Sequence, residues 1–415
     1  MGVLEEPTAC AARRAVNASY TSIGRRCAVG CLLIIVSCST HAAQQAPSPD
    51  HAADEHAQEP SPDGPVGNLS KPLNPRLEDR RRTIAMNAWN ACAIRDGQLY
   101  CWGATTGVPS AQSLLPLPPA RLPPVPMHVR GRVRAIAMSD STSPSPRACM
   151  VLDEGDVLCW GETAGCVGES GWTRRIPLPL PALEVAHLGG ATCARLMGGS
   201  VYCWGIANDG ESVGEETCQP RPVRTPDGRP LTGLVRAEVH AGVDEHGTVH
   251  WWGPHACDHA DWSPRGGQHS RGLIAQPVAG MPAAVDVGTF ANGLCVLDEE
   301  GRAYCISTPS CRVTQVEAPP ARLLACGSGG CAVLPYEGGG LVWVGWADGS
   351  PPKPELGALH DVESVSFSAS ASGGCVAGDE IRCWGAVTAA LWDGEPADAF
   401  IARRIALPPP EHPCD

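Results

Sequence analysis

Lysine is almost missing from this chain: Lys71 and Lys353 are the only two in 415 residues. Arginine supplies the rest of the positive charge, and the net charge is −13. No long basic run exists to displace the counterions of a nucleic acid, so nucleic acid is excluded as the expected partner. Phenylalanine and tyrosine are also scarce, at three and five residues, against twelve tryptophans. Tryptophan therefore has a specific place in the design and is not a share of generic core. The apolar run Cys27–Val36 holds about ten residues, half of the roughly twenty a membrane-crossing helix takes. No phosphate-binding glycine loop and no paired-carboxylate signature is present. Gly168-Glu169-Ser170-Gly171 lacks the spacing of a nucleophile elbow. No catalytic residue is assigned, and no cofactor.

The 21 cysteines are what the chain has in excess. That number suits disulfides in an oxidising compartment or metal clusters in a reducing one. The N-terminus favours the first. Arg25 and Arg26 precede the apolar run, which ends in Ile35-Val36-Ser37-Cys38. Residues 1–38 read as an export signal, and the last four resemble a bacterial lipobox, which implies a lipid on Cys38 and a membrane anchor. The alternative is cleavage near Ala42 or Ala43 and release of a soluble protein. Residues 39–75 are rich in Ala, Pro, Ser, Gln and Asp, with too few large apolar groups to offset ordering entropy. They read as a disordered tether.

Residues 76–415 are organised by seven copies of one hairpin. The first is Cys92-Ala93-Ile94-Arg95-Asp96-Gly97-Gln98-Leu99-Tyr100-Cys101-Trp102-Gly103. The second ends Trp160-Gly161, the third Trp204-Gly205, the fourth Trp252-Gly253 and the seventh Trp384-Gly385. The fifth has Ile306-Ser307 in that place, and the sixth runs from Cys331 to Gly345. Asp96-Gly97 is a two-residue hairpin signal, since glycine readily takes positive φ. An apolar stretch precedes most copies and an Arg/Pro-flanked stretch follows, giving about four strands per repeat. The expected fold is an all-β, seven-bladed β-propeller. The end segment Arg403-Arg404-Ile405 resembles Arg174-Arg175-Ile176, while the repeat region opens with an inner-strand candidate at 83–88. The N- and C-terminal strands are thus expected to close the ring by completing one blade together.

Counting outward from each turn sets Cys92 opposite Cys101, Cys149 opposite Cys159, Cys193 opposite Cys203, Cys295 opposite Cys305 and Cys375 opposite Cys383. Facing antiparallel residues have Cα atoms roughly 4.5–5.5 Å apart, within reach of a disulfide. In the fourth copy Gly242 and Trp251 are placed at the two cysteine positions, so both cysteines are absent together, as a disulfide requires. In the sixth, Cys331 faces a position near Trp343, and Cys326 is the alternative partner. Zinc wants four convergent ligands at C-x₂₋₄-C spacing, which this repeat does not supply. His255, Cys257, His259 and Asp261 form a weaker metal candidate. Cys257 with Cys311, and Cys166 with Cys218, are candidate disulfides. Cys414 is left without an assigned partner.

The "D-G-x-x-x-x-W-G" element, and a partial "W-G-x-N-x-x-G" at Trp204–Gly210, resemble the repeats of the regulator-of-chromosome-condensation family, over about residues 76–407. The resemblance implies a seven-bladed propeller. It also implies blade-packing roles for Trp102, Gly103, Trp160, Gly161, Trp204, Gly205, Trp252, Gly253, Trp384 and Gly385. The family includes guanine-nucleotide exchange factors that bind chromatin, and exported bacterial members. The cysteines, signal and acidic charge resemble the latter, so exchange activity is a distant alternative. Tyr100, Tyr202 and Tyr304 share one repeat position and read as packing, which weakens a sialidase reading. Trp172, Trp262 and Trp392 lie outside the repeat, in variable loops, and are candidate binding anchors. The expected function is a monomeric, non-enzymatic scaffold that binds a protein partner at a bacterial cell envelope. The alternative is a secreted propeller hydrolase or lyase acting on carbohydrate or peptide.

Overall fold

In the computed structural model the described residues are 82–87, 89–104, 121–139, 147–161, 174–205, 219–253, 273–308, 310–337, 340–344, 361–368, 373–385 and 401–409. They form strands and no helix, in seven antiparallel sheets. Blade 1 consists of β1 (Ile84–Met86), β2 (Asn90–Arg95), β3 (Gln98–Ala104) and β4 (Arg121–Pro126). Blade 2 has β5 (Val133–Met138), β6 (Ala148–Leu152), β7 (Val157–Trp160) and β8 (Arg174–Arg175). Blade 3 has β9 (Ala182–Leu188), β10 (Ala191–Leu196), β11 (Val201–Gly205) and β12 (Arg221–Pro222). Blade 4 has β13 (Leu234–Ala237), β14 (Ala241–Asp244), β15 (Val249–Trp251) and β16 (Gln276–Pro277). Blade 5 has β17 (Ala284–Phe290), β18 (Gly293–Asp298), β19 (Ala303–Ser307) and β20 (Thr314–Gln315). Blade 6 has β21 (Ala321–Gly327), β22 (Gly330–Pro335) and β23 (Val342–Val344) among the described residues. Blade 7 has β24 (Ser364–Phe367), β25 (Gly374–Ala377), β26 (Ile381–Trp384) and β27 (Arg403–Ile405).

The repeat explains this geometry residue by residue. Asp96 and Gly97 have φ of 54° and 78°, so the turn is of the primed kind whose twist suits a two-residue hairpin. It pairs Arg95 with Gln98 and brings Cys92 opposite Cys101. The glycines that follow the repeat tryptophans, Gly103, Gly161, Gly205, Gly253 and Gly385, all have positive φ, between 83° and 113°. A side chain there is strained, so Trp-Gly fixes both a core residue and the bend that leaves the strand.

Each tryptophan of a Trp-Gly pair packs on the preceding blade. Trp160 of blade 2 joins Leu99 and the Cys92–Cys101 pair of blade 1. Trp204 of blade 3 joins Cys149, Val157 and Ile176 of blade 2. Trp252 and Trp384 repeat the arrangement on blades 3 and 6. Trp102 completes the circle: it shares a core with Ile381, Cys383 and Ile405 of blade 7. The Met86 N–H also donates to Ser366 Oγ at 3.1 Å.

The ring is therefore closed where the first and last blades meet, with strands from both chain ends in one hydrophobic core. One detail differs from expectation. The ends do not share a blade: β1 pairs with its own hairpin strand β2, and β27 is the fourth strand of blade 7. The Trp102 core supplies the closure that a shared sheet would otherwise give.

Candidate site in the central channel

The innermost strands of all seven blades surround a channel with a cavity of about 130 Å³.

A belt of charge crosses it. Arg82, just before β1, makes a hydrogen-bonded ion pair with Glu238 of blade 4. Glu184 of β9 accepts from Arg195 Nε at 2.6 Å, from Arg236 Nη1 at 3.5 Å and from the Ala237 N–H at 3.0 Å. Asp286 of β17 lines the same cavity and accepts from the Val287 N–H at 3.1 Å. Three guanidinium groups thus meet three carboxyls. Burial pushes Glu184 up, but Arg195, Arg236 and Arg82 outweigh it and hold this carboxyl below its ordinary value. Burial pushes Glu238 up to about 7, and Glu184 and Asp286 push the same way against the pull of Arg82. Burial also works against the Arg82 charge, yet Glu238, Glu184 and Asp286 raise its pKa.

Register shows which channel positions are unusual. The inner-strand residue facing the first repeat cysteine is Ala85, Ala137, Ala186, Gly288 or Ser366 in blades 1, 2, 3, 5 and 7. All are small. Blade 4 has Glu238 there, its N–H donating to the Ala241 carbonyl at 2.7 Å. Blade 6 has Cys326 there, facing Cys331. These two blades are the ones without the hairpin disulfide.

The five hairpin pairs, Cys92–Cys101, Cys149–Cys159, Cys193–Cys203, Cys295–Cys305 and Cys375–Cys383, are bonded, with S–S distances of 2.06–2.11 Å. In blade 6 Cys331 bonds Cys326, because Val344 stands opposite it on β23. Blade 4 corrects the sequence register by one residue: Ala241 faces Trp251, while Gly242 faces His250. Ala241 lies six positions before the turn glycine Gly247, as Cys149 lies before Gly155, whereas Cys92 lies five before Gly97. Trp251 is 3 % exposed and packs with Val249, Leu294 and Ile306, filling the volume that a cystine takes elsewhere.

Cys311 is disulfide-bonded, to a partner outside the described residues. Cys38, Trp172, Trp262 and Trp392 lie outside them too, as do Cys166, Cys218, Cys257, Cys414 and the His255–Asp261 segment. Among the described residues no three His, Cys, Asp or Glu side chains converge as a metal would need. Sequence reasoning missed Arg82, Glu184, Arg236, Glu238 and Asp286. The readable signal was a charged residue inside an otherwise apolar inner-strand run, as in Leu183-Glu184-Val185 and Val285-Asp286-Val287.

Solved structures align with most of the chain at low identity. Human WBSCR16 aligns over 78 % of this chain and 81 % of its own, at 14 % identity and a TM-score of 0.44. Prp20p from Saccharomyces cerevisiae, whose binding to Gsp1p and histones has been described, aligns over 78 % and 76 %, at 15 % identity and 0.42. The WD40 propeller domain of Doa1 aligns over 76 % and 96 %, at 8 % identity and 0.46. No protein-family model matches the chain, and no curated protein matches it in sequence.

Proposed function

We propose that the chain is an exported propeller of the regulator-of-chromosome-condensation type, held at a bacterial cell envelope by a lipid on Cys38. It acts as a monomeric, non-enzymatic scaffold that binds a protein partner through loops on one rim. The observation that carries this reading is where chain length accumulates. The links between second and third strands span two to six residues in every blade. The links between third and fourth strands span 13 to 24 residues in blades 1, 2, 3, 4 and 7. In an antiparallel meander those long links all leave from and return to the same rim. A rigid ring with one face of long, variable loops is the arrangement of a binding scaffold. Trp172, Trp262 and Trp392 stand in three of these links. The cystines inside the blades support an oxidising, extracytoplasmic location.

The deciding experiment is a pull-down from envelope extract with wild type and with the Trp172→Ala/Trp262→Ala/Trp392→Ala variant. The variant should lose the partner that wild type captures; equal recovery rejects the loop surface. Cys38→Ala should move the protein from the membrane to the soluble fraction, and unchanged fractionation rejects the anchor. The enzyme reading draws on one observation, a half-buried Glu238 whose carboxyl is pushed up to about 7.

A further inference from the structure

Of the six cystines inside blades among the described residues, Cys326–Cys331 alone joins the first and second strands of its blade. The other five join the second and third, and both sulfurs lie in the packed core between blades. Eleven of these twelve cysteines are buried; Cys326 alone is part-exposed, and it lines the channel. The neighbouring blade makes room for it. Gly288 on β17 has no positive φ that would call for glycine, yet a Cβ there would lie 2.2 Å from Cys326 Sγ. The sulfur takes the place that a side chain at Gly288 would fill, and it stands at the inner-strand position where every other blade except the fourth has Ala, Gly or Ser.

From this placement we propose that Cys326–Cys331 is a covalent modification site for thiols that enter the channel. A low-molecular-weight thiolate attacks Cys326 Sγ in line with the Cys331 sulfur. The new bond joins the thiol's sulfur to Cys326, the Cys326–Cys331 bond breaks, and Cys331 leaves as a thiolate that takes a proton from water. A second thiol attacks the thiol's own sulfur in the mixed disulfide. It releases Cys326 as a thiol, so two thiols are oxidised to one disulfide as the cystine gains two electrons. Attack is directed to Cys326 because Cys331 is fully buried, with no path for a nucleophile. The five core cystines react only through opening of a blade, an event set by the stability of the packed core.

The test uses the full oxidised chain exposed to increasing reduced glutathione, quenched with N-ethylmaleimide and mapped by peptide mass spectrometry. Cys326 and Cys331 should open at least about tenfold faster than the other five blade cystines, with circular dichroism unchanged. The glutathione adduct should sit on Cys326. Cys311 is exposed and is scored separately. The proposal fails if another blade cystine opens first, if the adduct sits on Cys331, or if opening accompanies unfolding. Cys326→Ala/Cys331→Ala should abolish the early glutathione uptake attributed to blade 6. If that variant does not fold, the order of opening in wild type still decides.

Discussion

Glu238 should make the propeller less stable as pH rises through the range where most proteins are insensitive. Its carboxyl titrates near an ordinary 4.5 in the unfolded chain and near 7 in the fold, because burial and the charges of Glu184 and Asp286 oppose ionisation. Below 4.5 both states carry the proton, and Glu238 has no pH-dependent effect. Between 4.5 and 7 the folded state holds a proton that the unfolded state has released, so stability falls with rising pH. Above 7 the loss is complete. A shift of that size corresponds to about 3 kcal/mol. Glu238 keeps 16 % of its side-chain exposure and Arg82 keeps 32 %, so water screens the site and this is an upper figure. Glu184 works the other way, since its depressed pKa adds stability that is lost as pH falls. The informative quantity is therefore the difference between wild type and Glu238→Gln. Urea unfolding of both, non-reduced, at half-unit steps from pH 4 to 8 should give curves that diverge across 4.5–7, with the variant flatter. Superposable pH dependence would refute a proton on Glu238.

The other predictions concern the scaffold. Cys149→Ala/Cys159→Ala opens a loop closed across ten positions and should cost about 2–3 kcal/mol in urea unfolding; an unchanged midpoint argues that the staple is redundant. Trp252 Nε1 donates to the Val239 carbonyl at 2.7 Å, whereas the buried Trp204 Nε1 has no hydrogen-bond partner among the described residues. Trp252→Phe should accordingly be worse than Trp204→Phe by about 1–2 kcal/mol, and equal losses would show that the bond adds nothing.

The blade count, the strand order and five cystines were legible because they rest on local arithmetic. A tight turn fixes the register, and the register fixes which residues face one another. The blade 4 register was misread by one residue because the five positions from Cys92 to Gly97 were carried over to Gly247, whereas blade 4 has the six of Cys149 to Gly155. The shared terminal blade was misjudged for a different reason. Sequence shows that Arg403–Ile405 suits an outer strand, but not whether an outer strand needs an inner one from across the chain. The channel belt was illegible as a unit, since Arg82, Glu184, Glu238 and Asp286 come from four blades and meet only when the ring closes.

The departures from the repeat are coupled, and that coupling separates scaffold from candidate chemistry. Forgoing a hairpin staple costs about 2–3 kcal/mol, yet two blades of seven do so. Blade 4 offsets part of that with Trp251 in the cystine's place. Blade 6 keeps a cystine but turns it inward. In both, the inner-strand position that is small in every other blade carries a group with chemistry of its own: a carboxyl at Glu238, a sulfur at Cys326. Simple decay of a repeat has no reason to alter the facing position at the same time, or to place both altered residues on the channel. Nor does it explain Gly288, whose missing side chain is needed only because Cys326 is there. A ring built only to hold its loops has no use for these substitutions. The thiol and pH measurements therefore ask whether the channel is a second working surface, independent of the rim where the long loops stand.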